Sequence, residues 1–143
     1  MSRSAARCYW LVKSEPDAFS WDEQVANDVE PWTGVRNHQA KKNLAAMKEG
    51  DLAFFYHSNQ GREIVGVVEI AREAYPDPTA ENGSWVCVDV KAVGPMPRPV
   101  TLAEIKAEST LADLALVRQS RLSVVPVSSE HWKQLCQMGG WQS

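Results

Sequence analysis

The chain has 143 residues, 44% of them hydrophobic and 23% charged, which is the length and balance of one globular domain with its own core. A formal net charge of −3 excludes a generally basic nucleic-acid binder, so any such contact must come from a local basic face. No apolar run is long enough to cross a bilayer, Lys13 and Glu15 interrupt the run that follows the N-terminal arginines, and Cys8, Cys87 and Cys136 suit neither a disulfide framework nor a zinc site. The expectation is a soluble cytoplasmic protein with reduced, buried thiols, no cofactor and no metal.

In chain order, residues 9–13 alternate aromatic, branched and polar side chains as a short strand does, and Pro16 forces Glu15 out of helical conformations and ends it. Ser20 with Glu23 three residues later is a capping box opening a helix over 21–28, closed by Glu30 and Pro31. Asn37 caps a second helix. Its apolar positions are Ala40, Leu44, Ala45 and Met47, while Lys41, Lys42 and Lys48 face outward and Gly50 stops it. Residues 52–57, 64–71 and 85–93 are rich in branched and aromatic types and are separated by Gly, Asn, Pro and Asp, so they read as neighbouring strands.

Pro95, Pro97 and Pro99 read as a stiff connector, Thr101 with Glu104 as a capping box for a helix over 102–107, and 111–115 as another short helix. Residues 122–127 form a returning strand whose Pro126 suits an edge or a bulge, and a serine-capped helix over 128–138 stops at Gly139 and Gly140. No repeat or dividing linker interrupts this order. The fold class is α+β, one domain with a curved, mostly antiparallel, barrel-like sheet and short helices around it.

Four polar segments fall at strand ends or in loops: Lys13-Ser14-Glu15-Pro16, Trp32-Thr33-Gly34-Val35-Arg36-Asn37, Phe55-Tyr56-His57-Ser58-Asn59 and Ser120-Arg121-Leu122-Ser123-Val124. Such ends can gather at one mouth of a barrel, where a pocket needs few polar groups among aromatic walls. Trp32, between Pro31 and Gly34, is presented by a constrained turn and offers a stacking face for a base; the plain alternative is a tryptophan plugging the core. Trp10, Trp21, Trp85 and Trp132 lie in patterned segments and are assigned to the core.

Arg36 at a helix start, extended by Lys41 and Lys42, suits a phosphate, or else a solvated cationic face. Ser14, Ser58, Asn59 and Ser123 are short donors and acceptors suited to a base's edge, or else to turns and caps. No nucleophile and orienting acid accompany His57, so it, His38 and His131 are given structural roles, and Glu15 and Asp17 are read as turn carboxylates.

Taken together, Tyr-Trp-Leu-Val-Lys-Ser-Glu-Pro at 9–16, Trp-Thr-Gly-Val-Arg-Asn-His-Gln-Ala at 32–40, Phe-Tyr-His-Ser-Asn at 55–59 and Arg-Leu-Ser-Val at 121–124 resemble the EVE domain in order and spacing. The resemblance covers nearly the whole chain, with an N-terminal extension at 1–8, the domain at 9–138 and a tail at 139–143. It implies a PUA-like fold and a non-catalytic domain that binds nucleic acid, DNA or RNA, by holding a modified nucleobase in an aromatic pocket, modified cytosine among the candidates. It implies that Ser14, Trp32, Val35, Arg36, Asn37, Tyr56, Ser58, Asn59, Arg121 and Ser123 line or support the base pocket; Arg36, Lys41 and Lys42 are expected on phosphates, and a monomer or weak dimer is expected. His38 stands where many relatives carry tyrosine, and Lys41-Lys42 where arginine is frequent, which bears on phosphate geometry. Two readings of other classes stand beside this one: a ribonuclease or base hydrolase on a related barrel, and a protein-interaction module of a nucleic-acid-processing system.

Overall fold

In the computed structural model, which describes residues 7–81 and 83–142, β1 (Tyr9–Ser14) lies between β3 (Leu52–His57) and β6 (Val124–Val127). With β2 (Val29–Pro31), β4 (Glu63–Pro76) and β5 (Val86–Thr101) they form a six-stranded sheet in the order β2-β5-β4-β3-β1-β6. The β1/β3 pairing is parallel and the other pairings are antiparallel, so the sheet is mixed while mostly antiparallel. Parallel neighbours need a long crossover, here supplied by α1 (Trp21–Asn27), β2 and α2 (His38–Ala46). The order is linear, with β2 and β6 as its edges, so curvature rather than hydrogen-bonded closure makes it barrel-like.

The capping predictions hold in detail. Ser20 and Thr101 each accept from the backbone of the glutamate three residues on, and Glu23 and Glu104 reach back to the cap, opening α1 and α3 (Leu102–Ala107). Asn37 Oδ1 accepts from the Ala40 N–H at the start of α2, and Ser128 caps α5 (Ser129–Gly139), which ends on Gly140 in the left-handed region. The 111–115 helix is instead a 3-10 turn at Ser109–Leu111 followed by α4 (Ala115–Arg118). Leu111 and Leu114 are both buried on either side of the junction between the two pieces.

The proline-rich segment also differs from its reading, since β5 runs through it. Pro95 pairs with Gly66 and Val100 with Ile64, so residues 96–99 arch out opposite Val65 alone. In that bulge Pro97 and Pro99 need give no ladder hydrogen bond, which is why a strand tolerates them.

The two faces of the sheet carry separate aromatic clusters. On one, Trp132 of α5 lies flat on Phe54 at 3.9 Å between centroids, with Tyr9 stacked 4.5 Å from it. On the other, Phe55 meets Trp21, Trp32 and Phe19 at 5.3–6.3 Å. Gly66 makes room for that second cluster: a Cβ there would stand 2.5 Å from the Trp21 ring. Cys87 and Cys136 are buried as expected, whereas Cys8 is exposed at the start of the described chain.

Candidate functional site

The parallel β1/β3 register sets Ser14 beside His57, so the segments following both strands leave the sheet side by side. Antiparallel β6 begins opposite Val12, and this brings residues 120–123 to the same end. From the far edge, the chain after β2 closes over the Phe55 cluster. The Trp32 N–H donates to Val88 O at 2.7 Å, and its ring stands edge-on to Phe55 and Phe19 at 85° and 79°. Curvature therefore brings the two sheet edges face to face across a cleft of about 660 Å³.

Ser14, Trp32, Val35, Ser58, Arg121 and Ser123, all named from sequence, line this cleft together with Arg36. Trp32 is 8% exposed, so it does both things the sequence left open: it packs in the core and presents a wall. Among the described residues no aromatic ring lies parallel on its indole. Ser14 Oγ donates to Phe19 O at 2.6 Å, which commits its proton and leaves oxygen lone pairs free to accept. The Ser58 and Ser123 hydroxyls and the Arg121 guanidinium have no hydrogen-bond partner among the described residues.

Asn37, Tyr56, Asn59, Lys41 and Lys42 fall outside the cleft lining. Asn37 spends its side chain on the α2 cap. Tyr56 is buried, and strand alternation explains why: Phe55 and His57 touch each other on the cleft side, so Tyr56 shares the opposite face with Phe54. Asn59, at φ +69°, supports the rim from behind by donating Nδ2 to Glu15 Oε1 at 3.2 Å. Lys41 sits over the Trp85 ring, 5.8 Å from its centre. Trp85 is half-buried and stacked on His38, at variance with its assignment to the core.

Arg36 is held as much as it holds. Its guanidinium donates to Val35 O, to Thr79 Oγ1 and to Asp77 Oδ2, the last at 3.1 Å, and the Asp77 side chain is fully buried. Burial alone would push the Asp77 carboxyl up, but hydrogen bonds from the Thr79 side chain, from the Gly34 and Thr79 N–H groups and from Arg36 outweigh it and hold it at about 2. Gly34 sits at φ +84°, a conformation that favours glycine, and this turns its N–H onto Asp77 at 2.8 Å. The turn that carries Trp32 is thus clamped by an ion pair whose carboxylate is buried and whose guanidinium is partly exposed.

Sequence reasoning missed Lys13, Phe19 and Glu30 as cleft residues. Lys13 Nζ donates to Ser120 O at 2.8 Å and has no carboxylate within ion-pair distance among the described residues. Burial lowers its pKa. Its place at the end of β1, one residue before Ser14, was the available signal. His57 lies outside the lining. Its Nε2 accepts from the Trp21 N–H at 3.0 Å, and burial lowers its pKa against the opposing pull of Glu63 and Asp22, so the neutral ring serves as a helix anchor. Among the described residues no group of His, Cys, Asp or Glu is arranged to hold a metal ion, and no helix is long and apolar enough to cross a membrane.

A curved sheet whose edges face each other across an aromatic and cationic cleft, with short helices packed around it, defines a PUA-like domain. The EVE domain family model matches residues 8–138, and the chain belongs to that family. It is similar to thymocyte nuclear protein 1 of Gallus gallus, 38% identical over 87% of this chain and 66% of that protein, so the chain spans about two thirds of that relative's length. Among solved structures it is similar to a Rhodopseudomonas palustris protein, 62% identical with a TM-score of 0.89 over 93% of each chain. It is also similar to human THYN1 protein, solved in complex with 5-methylcytosine containing DNA, at 33% identity and a TM-score of 0.87 over 95% of this chain and 99% of that one.

Proposed function

We propose that this domain binds nucleic acid through the cleft, holding one modified cytosine base against Trp32 without converting it. The observation that carries the proposal is the meeting of the Trp32 indole, which lines the cleft with only edge-on aromatic neighbours, with the partnerless hydroxyls of Ser58 and Ser123, in a cleft within the roughly 300–1,000 Å³ range of small-ligand sites. The 5-methylcytosine DNA bound by human THYN1 protein supports the choice of base. Stacking on an aromatic ring contributes about 1–3 kcal/mol per base and does not by itself distinguish one base from another.

Discrimination comes from the edge. Cytosine presents an N4 amino donor where thymine presents an oxygen acceptor, and the cleft offers Ser14 Oγ and the carboxylates of Glu15 and Glu30 as acceptors. Ser58 and Ser123 can then donate to the base's carbonyl or ring nitrogen. Arg36, Lys41 and Lys42 attract the backbone, with Asp77 offsetting much of the Arg36 charge and fixing its direction. Lys13 and Arg121 add unpaired cations at the cleft itself. Extracting a base from a duplex costs a few kcal/mol, so single-stranded or already unpaired sites bind best.

The test is a titration of wild type and Trp32→Ala with short single strands carrying cytosine, 5-methylcytosine or 5-hydroxymethylcytosine, with the oligonucleotides analysed for products afterwards. Modification-selective binding by wild type, lost in the variant and without product, is expected. Unselective, steeply salt-dependent binding by both proteins would reduce the cleft to a generic cationic surface. Turnover of any strand would move the protein to the ribonuclease or base-hydrolase reading.

A further inference from the structure

A stacked aromatic pair outside the cleft lies on the surface beside it. Trp85, at the end of the loop leading into β5, carries the ring of exposed His38 flat upon it, at 5.0 Å between centroids and 27° between planes. The Arg36 guanidinium carbon and Lys41 Nζ lie 5.9 and 5.8 Å from the centre of the same indole. His38 is the first residue of α2 and Lys41 is three residues further, so helical spacing puts both on one side of the helix. Arg36 also lines the cleft, which makes the two places continuous. Among the described residues the His38 imidazole has the Trp85 stack and no hydrogen-bond partner.

We propose that the His38–Trp85 stack, flanked by Arg36 and Lys41, receives the base of a nucleotide adjacent to the one in the cleft. The inference rests on the nucleic-acid reading above and adds where the strand runs. A column of two flat rings ending in an exposed one has the chemistry for continuing a base stack, and cations at its sides suit the phosphates on either side of that base. An apolar peptide would be met by apolar walls rather than by cations. A free carboxylate would have no use for the stacked rings. The geometry therefore extends the footprint from one nucleotide to at least two, with the cleft selecting the base and the column, tolerant of sequence, supplying affinity.

The experiment compares a 5-methylcytosine mononucleotide with a short single strand containing the same base, on wild type, His38→Ala, His38→Tyr and Trp85→Leu. The strand should bind wild type more tightly than the mononucleotide does. His38→Ala and Trp85→Leu should each remove about tenfold of that gain while mononucleotide affinity stays unchanged, and His38→Tyr should retain it. Replacing the flanking base by an abasic residue should weaken wild type by a similar factor and have little further effect on His38→Ala, the non-additivity expected of two groups in contact. If His38→Ala and the abasic change are fully additive, or the gain survives both aromatic substitutions, the column does not hold a base, and the cleft reading stands without it. If wild type binds neither mononucleotide nor strand, the cleft reading falls and this one with it.

Discussion

The two ends of β1 treat polar groups in opposite ways. At its start, the Asp51 carboxylate is 2% exposed and fully engaged: it accepts from Cys8 N, from Trp10 Nε1 and from Lys48 N at 2.9–3.0 Å. At its finish, the Lys13 ammonium has a backbone carbonyl and no carboxylate, and the side chains of Ser58, Ser123 and Arg121 have no hydrogen-bond partner among the described residues. A fold gains by satisfying its buried polar groups from within. The cleft side chains are instead open to solvent in part or in full, so their donors and acceptors remain available to a ligand. On the proposed reading, the Asp51 end of this six-residue strand serves stability and the cleft end serves binding.

Substitutions at each end should separate these roles. The largest loss of stability is expected for Asp51→Ala, about 3 kcal/mol in denaturant unfolding, because it strands a buried indole N–H and two backbone donors. Asp77 comes next, since it clamps the cleft's turn. Its folded-state pKa of about 2 lies below the unfolded value, so its contribution is complete above about pH 4 and is lost as the pH falls toward 2. Acid titration of wild type should show that loss, on the order of 2 kcal/mol, and Asp77→Asn should show the same deficit at neutral pH with no acid step from this site.

Lys13→Met should reverse the pattern. Burial penalises the charged form of Lys13, so the folded pKa lies below the unfolded one and the group costs stability at neutral pH, a cost relieved as the pH rises past the folded pKa. Unfolding measurements should find the variant as stable as wild type or slightly more so, while oligonucleotide affinity falls about tenfold. The smallest effects on stability belong to Ser58→Ala and Ser123→Ala, within about 0.5 kcal/mol. Each should weaken modified-base binding about threefold, and wild-type affinity and selectivity retained in both variants would remove the serines from the recognition edge.

Local chemistry made much of this legible. Capping boxes, strand periodicity and the four polar segments depend on neighbours within a few residues, and Ser20, Thr101, Asn37 and Ser128 all cap as read. Whatever depended on sheet position was harder to read. Phe54, Phe55 and Tyr56 are all buried because β3 is interior to the sheet, so burial carries no alternation to say that Tyr56 faces away from Trp32. Trp85 shares the residue pattern of the strand it precedes, yet lies one residue outside it, where helix α2 supplies His38 as its cover. Lys13 sits in a half-buried strand where its length reads as surface, and its partner, Ser120, is 107 residues away.

The most direct measurement is an amide and indole chemical-shift titration of the isotope-labelled protein with 5-methyl-deoxycytidine monophosphate, and with its unmethylated counterpart as reference. Shifts should gather at Ser14, Ser58, Ser123 and the Trp32 indole, be larger for the methylated nucleotide, and leave Cys8, Lys48 and the Trp10 indole unmoved. Equal responses to both nucleotides scattered over surface lysines, with the Trp32 indole silent, would contradict a base-reading cleft at the end of β1.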